Sequence, residues 1–226
     1  MSDSNPVPPH PSVALFDLDG TLTWRDTLLP FLLTFLRRHP SRLANLWRLP
    51  AALLGYATGT QDRGLLKSRL IRMVMGGASR AAVDACAEEF VNSLRPRHRL
   101  RLTALAMLDA HRNSGDHLVL LSASPDLYVP RIGKALGFEV TLCTEIGWRG
   151  DRLSGELKTP NRHGTEKTHC LAWLRRQYPG MPVIAYGNSD SDLDHMLHAD
   201  RALLVNGGTA ARAAAMRLGI PTATWT

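Results

Sequence analysis

The sequence predicts an α/β protein, in which a doubly wound, Rossmann-like parallel sheet carries an inserted all-α cap domain. Short apolar runs alternate with helical patterns from residue 100 onwards, and this alternation is typical of parallel strands joined by right-handed crossovers. Residues 24–99 follow the first apolar run and contain helical patterns only. They therefore predict a helical insertion directly after the first strand.

Length and composition fit this architecture. The chain has 226 residues, of which 44% are apolar and 21% charged, so a disordered or fibrous chain is excluded. We expect a disordered tail at residues 1–11, a core formed by residues 12–23 and 100–226, and the cap at residues 24–99. The start lacks a signal-peptide pattern and the three cysteines are scattered, so we expect a cytoplasmic protein.

The core elements follow in order along the chain. Apolar runs predict strands at Ser12–Asp17, His117–Leu121, Phe138–Cys143, Pro182–Tyr186 and Arg201–Val205. Helical patterns cover Arg99–His111, a stretch ending near Leu136, Thr165–Gln177, a stretch after Asp194, and Thr209–Leu218. We expect a turn at Ser122–Pro125 and a small hairpin within Glu145–Leu157.

Proline and serine positions divide the cap into helices. Pro30 suits the first turn of a helix that runs to Arg38, and Ser41 suits the N-cap of the next. Pro50 is expected to interrupt that helix. Ser79 is the expected N-cap of a further helix, whose apolar residues follow the 3.6-residue period.

The charge is distributed unevenly over the two predicted regions. The net charge is +7, with +8 in residues 24–100 and −1 in the remainder. We therefore expect the cap to meet an anionic partner. Nucleic acid is not expected, because the basic residues lie among aliphatic helices without a recognisable binding motif. No phosphate-binding loop of the GxxxxGK[ST] type occurs, which argues against a kinase or NTPase.

Paired carboxylates end the first predicted strand. Asp17 and Asp19 lie two residues apart, and Gly20 turns the chain after them. One carboxylate of such a pair can act as a nucleophile while the other transfers protons. Two carboxylates also suit a hard cation such as Mg²⁺.

The stretch Phe16–Leu22 (FDLDGTL) resembles motif I of the haloacid dehalogenase-like (HAD) phosphohydrolases. Three later stretches resemble motifs II, III and IV of that family in the same order: LVLLS ending at Ser122, GTEK containing Lys167, and YGNSDSD at 186–192. Each follows a predicted strand or begins a predicted helix, where ligands bind in open parallel sheets. The cap position is similar to that of the phosphoserine-phosphatase-like branch.

The resemblance implies a mechanism and a set of residues. Asp17 attacks phosphorus to form an aspartyl-phosphate, and Asp19 serves as general acid and then as general base. Ser122 and Lys167 stabilise the transferred phosphoryl group. The resemblance further implies substrate contacts from Thr21, Arg25, Ser122, Ala123 and Lys167, and a Mg²⁺ site formed by Asp17, Asp19, Asn188 and Asp192.

Position 188 departs from the family pattern. The family has Asp directly after the glycine of motif IV, where this chain has Asn188. A neutral amide is a weaker Mg²⁺ ligand than a carboxylate. Asp192 matches the second acidic position of the motif, and Asp190 is an additional carboxylate nearby.

The first half of the cap combines apolar and cationic residues. Residues 24–60 contain five arginines and one acid, and their uncharged runs are too short to span a membrane. Such helices can lie at a membrane interface. We expect Phe31, Phe35 and Trp47 to enter the acyl boundary, while the headgroups are met by Arg37, Arg38, Arg42 and Arg48. Packing of apolar helix faces against each other is the simpler alternative.

In composition and order this segment is similar to phosphatidylglycerophosphatase C, a membrane-associated branch of the family. That resemblance implies a lipid phosphate substrate such as phosphatidylglycerophosphate and peripheral contact with the inner membrane. The first alternative is a phosphatase of a soluble, phosphoserine-like ester. A second is a protein that binds a phosphorylated ligand without catalysis, which only Asn188 favours.

Overall fold

The computed structural model describes residues 11–94 and 99–226. Its centre is a six-stranded sheet in which every neighbouring pair is parallel. In spatial order the strands are β3 (Val140–Thr144), β2 (His117–Pro125), β1 (Val13–Phe16), β6 (Val183–Gly187), β7 (Arg201–Val205) and β8 (Thr222–Ala223). Strands β4 (Ile146–Arg149) and β5 (Arg152–Leu157) form an antiparallel hairpin. The predicted α/β fold and hairpin are confirmed.

Helices cover both faces of the sheet. The core helices are α5 (Leu102–Asn113), α6 (Val129–Ala135), α7 (Thr165–Gln177), α8 (Asp190–Leu197) and α9 (Thr209–Arg217). Alternate residues of β1 enter different clusters: Ala14 and Phe16 pack with residues of α5 and α6, whereas Val13 and Leu15 pack with residues of α7. This alternation follows from the two-residue period of a strand, and it makes the sheet doubly wound.

Strand β1 lies in the middle of the sheet, where it pairs with β2 on one side and with β6 on the other. Side chains at the carboxyl ends of these three strands therefore converge. The convergence brings together segments that lie more than 60 residues apart along the chain. It is the feature of the fold that builds the candidate site.

Within the described residues, the segment between Leu28 and Leu94 is formed by helices, as predicted for the cap. Its elements are α1 (Leu28–Arg38), a 3₁₀ helix (Pro40–Arg48), α2 (Leu49–Ala57), α3 (Arg63–Met75) and α4 (Arg80–Leu94). Phe31, Phe35, Ile71, Cys86 and Phe90 are buried between these helices. The expectation that Phe31 and Phe35 enter a membrane is therefore wrong, because both rings belong to the interior of the cap.

Several local predictions need correction. Residues Ser122–Pro125 continue β2 instead of forming a turn. Pro50 does not interrupt a helix but occupies the first turn of α2, where its missing N–H is not needed. The 3₁₀ helix begins at Pro40, so Ser41 lies inside it and is not its N-cap. Strand β8 has only two residues and carried no sequence signal.

Two of the arginines expected to meet headgroups have partners within the protein. Arg38 forms an ion pair with Glu89. The Arg42 guanidinium donates to the carbonyl oxygen of Gly76 at 2.5 Å. Arg37 and Arg48 remain exposed.

The cap is joined to the core through the hairpin. The main-chain N–H of Gly77 donates to Leu153 O at 2.8 Å, and that of Leu153 donates to Ala78 O at 2.9 Å. The Ser68 hydroxyl of α3 donates to Gly155 O at 2.9 Å. These bonds hold α3 beside the hairpin and so fix the position of its inner face.

Four further predictions concern the N-terminal tail, the domain boundaries, the cysteines and membrane-spanning helices. Apart from residue 11, the predicted tail lies outside the described residues. The boundaries expected for the core and the cap stay a prediction. The three cysteines are free and buried. None of the helices described combines the length and the apolar character needed to cross a bilayer.

Candidate active site

A cavity of about 490 Å³ opens at the carboxyl ends of the central strands. Six of the predicted site residues line it: Asp17, Asp19, Arg25, Ala123, Lys167 and Asn188. Helix α3 and the segment before α7 complete the wall. The convergence predicted from four separate stretches of sequence is thus observed for these six side chains and backbone segments.

Asp17 follows the last residue of β1 and is buried. One of its carboxylate oxygens accepts from Lys167 Nζ at 2.6 Å, and the other accepts from the Thr21 hydroxyl at 3.1 Å. Burial raises the pKa of Asp17, and the Lys167 ammonium opposes that rise. The carboxylate is therefore held rigidly at the cavity wall by two side chains.

Lys167 lies in the first turn of α7 and is 2% exposed. Its ammonium also donates to Asp192 Oδ1 at 2.6 Å. Burial alone would lower the pKa of Lys167, but the two carboxylates raise it above its usual range. The side chain is a fixed positive charge between two acids.

Asp192, which was expected to bind a metal, has both carboxylate oxygens hydrogen-bonded to groups of the protein. Its second oxygen accepts from the main-chain N–H groups of Asn188 and Ser189 at 3.0 and 2.9 Å, and from the Ser189 hydroxyl at 2.8 Å. Burial opposes ionisation, but Lys167 and these donors hold the pKa of Asp192 well below its usual range. With both oxygens engaged and 1% exposure, Asp192 positions Lys167 and the start of α8.

Gly20 brings the loop after β1 against Asn188. Its φ of +85° favours glycine. A Cβ at this position would lie 2.0 Å from Asn188 Nδ2. The absence of a side chain at residue 20 is therefore what allows the Asn188 amide to lie beside the Asp17–Asp19 loop.

Asp19 is held by three donors. One carboxylate oxygen accepts from the main-chain N–H and the hydroxyl of Thr27 at 2.7 and 2.6 Å. The other accepts from the Ser124 hydroxyl at 2.6 Å. Burial, together with the nearby Asp26, raises the pKa of Asp19. A carboxyl group with a raised pKa that faces a cavity is suited to general acid catalysis.

Two other predicted residues lie behind the cavity wall. Thr21 is fully buried, and its hydroxyl binds Asp17. Ser122 is also fully buried, and its hydroxyl accepts from the main-chain N–H of Ser124 at 3.0 Å. Ala123 and Ser124 line the cavity instead. Direct substrate contact by Thr21 or Ser122 stays a prediction.

Lys67 of α3 is a site residue that sequence reasoning missed. Its ammonium donates to the Ala123 carbonyl oxygen and to Asn161 Oδ1. Burial lowers the pKa of Lys67 to about 8. No local pattern distinguishes Lys67 from other helical lysines, because its place depends on how α3 packs against the core. Ser124, by contrast, lies two residues after Ser122 on one strand, and that spacing was a usable signal.

The remaining wall on the cap side combines charge and apolar surface. Arg63 Nη1 lies 2.9 Å from His163 Nε2, and both residues line the cavity. Trp24, Leu28, Leu66 and Leu70 contribute apolar surface. This side of the cavity can therefore contact both an anionic and an apolar part of a ligand.

The charges of the core wall fit a cation. Asp17 and Asp192 share the buried ammonium of Lys167, and the carboxylate of Asp19 raises the pKa of Asp17 further, so negative charge accumulates around Asp17. Oxygen atoms of Asp17, Asp19 and Asn188 are on the cavity wall, and oxygen donors are the ligands that Mg²⁺ prefers. Within the described ranges, no group of three or more acidic, histidine or cysteine side chains has the arrangement of a metal site. A cation bound at this wall would also have the amide oxygen of Asn188 available as a ligand.

Comparison with known proteins agrees with this geometry. Residues 14–197 match the model of the haloacid dehalogenase-like hydrolase family. The chain is similar to Protein CicA of Caulobacter vibrioides, with 32% identity over 195 residues and 84% of each chain covered.

Solved structures share the fold. A protein of unknown function from Bordetella pertussis Tohama I superposes with a TM-score of 0.78 at 22% identity, covering 94% of this chain and 97% of that one. A probable phosphoserine phosphatase from Vibrio cholerae superposes with a TM-score of 0.68 at 14% identity, covering 90% and 60%.

Proposed function

Because the chain belongs to the haloacid dehalogenase-like hydrolase family, we propose that it is a Mg²⁺-dependent phosphomonoesterase acting through an aspartyl-phosphate. The observation that carries this proposal is the pair Asp17 and Asp19 on one cavity wall, with one carboxylate against Lys167 and the other held by hydroxyl donors. This arrangement supplies a positioned nucleophile, a positioned acid and a fixed positive charge.

In the first step a carboxylate oxygen of Asp17 attacks phosphorus, and the bond between phosphorus and the ester oxygen breaks. Asp19, whose pKa is raised, gives its proton to the departing alcohol. Lys167 and the main-chain N–H of Ala123 stabilise negative charge on the phosphoryl oxygens. The products of this step are the free alcohol and a phosphorylated Asp17.

In the second step water attacks the phosphorus atom of the phosphorylated Asp17. Asp19, now ionised, takes a proton from that water, and the bond between phosphorus and the Asp17 oxygen breaks. Inorganic phosphate leaves, and both carboxyl groups return to their starting states. Thr27 and Ser124 keep Asp19 in place through both steps.

Mg²⁺ would be held by a carboxylate oxygen of Asp17, the main-chain carbonyl of Asp19 and the amide oxygen of Asn188. Bound there, it supplies charge stabilisation for the phosphoryl oxygens. Asp192 acts indirectly by fixing Lys167 and the loop that carries Asn188.

The cap side of the cavity supports a substrate with a second negative charge. The cap side of the cavity carries three cationic side chains, those of Lys67, Arg63 and Arg25. One acid, Asp26, lies among them. A phosphate monoester that also carries a phosphodiester or a carboxylate fits this distribution.

Within that class we propose a lipid phosphate such as phosphatidylglycerophosphate, whose phosphodiester would lie against Lys67 and Arg63. The apolar surface of Leu66 and Leu70 supports this choice, since it can contact the first part of a glycerolipid. Such a substrate requires peripheral contact with a membrane, for which the cationic cap is the suitable region.

A soluble ester is the second candidate. The cavity volume of about 490 Å³ accommodates a headgroup but not two acyl chains. A carboxylate next to Lys67 would suit a phosphoserine-like substrate equally well. The similarity to a probable phosphoserine phosphatase is one of fold alone and does not decide between the two.

Phosphate release from a substrate panel tests the proposal. The panel contains phosphatidylglycerophosphate in mixed micelles, phosphatidic acid, phosphoserine, glycerol-3-phosphate and an aryl phosphate, each with Mg²⁺ and with chelator. Asp17→Asn is the blank, and Asp190→Asn is the matched control, because Asp190 is an exposed carboxylate at the start of α8 that does not line the cavity.

We expect Mg²⁺-dependent release that the blank lacks and the control keeps, with highest kcat/KM for phosphatidylglycerophosphate. Preference for phosphoserine would overturn the lipid part and leave the phosphatase part standing. No release above the blank from any of the substrates would contradict the phosphatase proposal itself.

A further inference from the structure

The outer side of the cap carries a second cavity, separate from the catalytic one. This groove has a volume of about 510 Å³ and lies between the 3₁₀ helix, α2 and α3. Its lining consists of Asn45, Trp47, Arg48, Ala51, Ala52, Arg69, Arg72 and Met73. Three of these eight residues are arginines, and four of the others are apolar.

The arginines of the groove leave positive charge uncompensated. Arg72 pairs with Glu156 at 3.1 Å, but Glu156 is shared with Arg149 at 3.5 Å. Neither Arg48 nor Arg69 forms an ion pair with a carboxylate of the described chain. The stretch from residue 27 to 61, which contains Arg48, includes no acidic residue.

The rim of the groove exposes large apolar side chains. Trp47 is 72% exposed and Leu54 is 66% exposed. Trp47, Ala51 and Leu54 recur at i, i+4 and i+7, so they share one side of the helical segment. The same segment also exposes Leu43 and Leu53, and the 3₁₀ helix buries none of its residues. Apolar surface of this kind in one segment marks an interaction site.

We propose that this outer cap face, comprising Trp47, Leu54, Arg48, Arg69 and Arg72, docks on the surface of an anionic lipid bilayer. Phosphate headgroups would occupy the arginine groove, and the Trp47 and Leu54 side chains would enter the interfacial region. Tryptophan prefers that region, and arginine reaches headgroups from an apolar surface.

Charge decides between a bilayer and a second copy of this chain. Two cationic faces would repel each other on self-association, whereas an anionic surface neutralises the arginines while it covers the apolar rim. The Arg48 guanidinium lies 5.0 Å from the Trp47 ring centroid. Cation and aromatic ring are thus presented together, as headgroup contact and interfacial insertion require.

Helix α3 connects this face to the candidate active site. Leu66, Lys67 and Leu70 line the catalytic cavity, whereas Arg69, Arg72 and Met73 of the same helix line the groove. Docking would therefore place the helix that lines the catalytic cavity directly beside the lipid surface. The inference deepens the proposed function, which needs access to a lipid phosphate, but it is tested without turnover.

The test is cosedimentation of the full chain with vesicles of phosphatidylcholine, with and without phosphatidylglycerol. The double variant Trp47→Ala with Leu54→Ala removes the two side chains that would enter the bilayer interface. The double variant Arg48→Glu with Arg69→Glu reverses the charge of two groove residues. The matched controls are Met216→Ala with Leu218→Ala and Arg176→Glu with Arg217→Glu, all exposed positions of the core. Circular dichroism confirms that each variant is folded.

We expect binding to the anionic vesicles that weakens in high salt. Each double variant of the outer cap face should bind at least about tenfold more weakly, while both controls bind like the natural chain. Equal binding by all variants, or equal binding to neutral vesicles, would overturn the inference. So would a dimer seen by light scattering that the Trp47→Ala and Leu54→Ala substitutions dissociate.

The outcome is separable from that of the proposed function. Vesicle binding without phosphate release would leave the docking face established and the phosphatase proposal contradicted. Phosphate release from soluble esters without vesicle binding would do the reverse.

Discussion

The two walls of the catalytic cavity are built differently. On the core wall, Asp17 and Asp19 each accept from two or more donors within the protein, and so does Asp192, which is buried behind that wall. On the cap wall, Lys67 is the one cation held by two core oxygens, while Arg63 bonds a partly exposed histidine and Leu66 and Leu70 contribute only surface.

This difference indicates that the two walls of the cavity have different roles. Groups that make and break bonds must be held in place before the substrate arrives, because reorganisation during the reaction raises the barrier. Groups that recognise the rest of a substrate need only complementary charge and shape. The core wall therefore suits the chemistry and the cap wall suits selection, and the predictions below test that separation.

The largest effect is expected on the core wall at Asp19. Asp19→Asn removes the group that protonates the departing alcohol, so kcat should fall by about 10²–10⁴-fold for an alkyl phosphate. An aryl phosphate, whose leaving group needs no proton, should lose much less in its first step. Steady-state and burst kinetics with both esters measure this difference.

Asp190→Asn is the control for that measurement, since it removes an exposed carboxylate at the start of α8 that does not line the cavity. Equal losses for the two esters in Asp19→Asn would mean that Asp19 organises the site instead of protonating the leaving group.

The next effect is expected on the cap wall at Lys67. Lys67→Met keeps the length of the side chain and removes its charge. For a substrate with a second negative charge, kcat/KM should fall by about 10–100-fold, because a charge-assisted bond contributes about 1.5–3 kcal/mol. For an aryl phosphate, kcat should change little.

Lys134→Met, in α6 of the core, is the matched control. If Lys67→Met lowered kcat for both substrates by the same factor, the cap wall would take part in the chemistry, and the separation of the two walls would fail.

The smallest effect concerns the stability of the core below the site. His195 of α8 is buried, and burial lowers its pKa to about 4. The His195 imidazole is protonated below about pH 6.5 in the unfolded chain, but only below about pH 4 in the folded chain. Stability should thus be full above pH 6.5 and fall towards pH 4, with about 2 kcal/mol lost by pH 5 from this group.

His195→Leu should flatten this decline, and urea unfolding at pH 7.5 and pH 5 measures it. His198→Leu is the control, because His198 is the exposed histidine one turn later. A decline in His195→Leu as steep as in the natural chain would assign acid sensitivity to other groups.

Much of the fold was predictable because its signals are local. The apolar runs of β1 and β7, the helix Thr165–Gln177 and the Ser79 N–cap each depend on residues close together in the chain. Burial on both faces gives parallel strands continuous apolar runs, which are readable without knowledge of their partners. Asp17 and Asp19 could be found for a similar reason, since they are paired carboxylates at the end of a strand, whereas Lys167 and Asn188 are found through the resemblance of their stretches to family motifs III and IV.

Other features could not be read in this way. Phe31 and Phe35 lie on an apolar helix face whether that face meets a membrane or a neighbouring helix, and only the packing of α1 against the other cap helices and against Tyr128 buries them. The sequence does not distinguish Lys67 from other helical lysines, because its contact with the Ala123 carbonyl oxygen of β2 depends on where α3 packs. Asp192 resembles a metal ligand until both of its oxygens are engaged.

The sequence by itself determined the α/β class, the order of the strands and helices, and the stretches that carry the chemistry, because strand and helix periods and turn residues act over a few positions. The tertiary structure alone decided which carboxylates face the cavity, which arginines are paired, and which apolar side chains stay outside. Those outcomes depend on burial and on contacts between residues far apart in the chain, such as Lys167 with Asp17 at a separation of 150 positions and Arg38 with Glu89 at 51, and no local pattern encodes them.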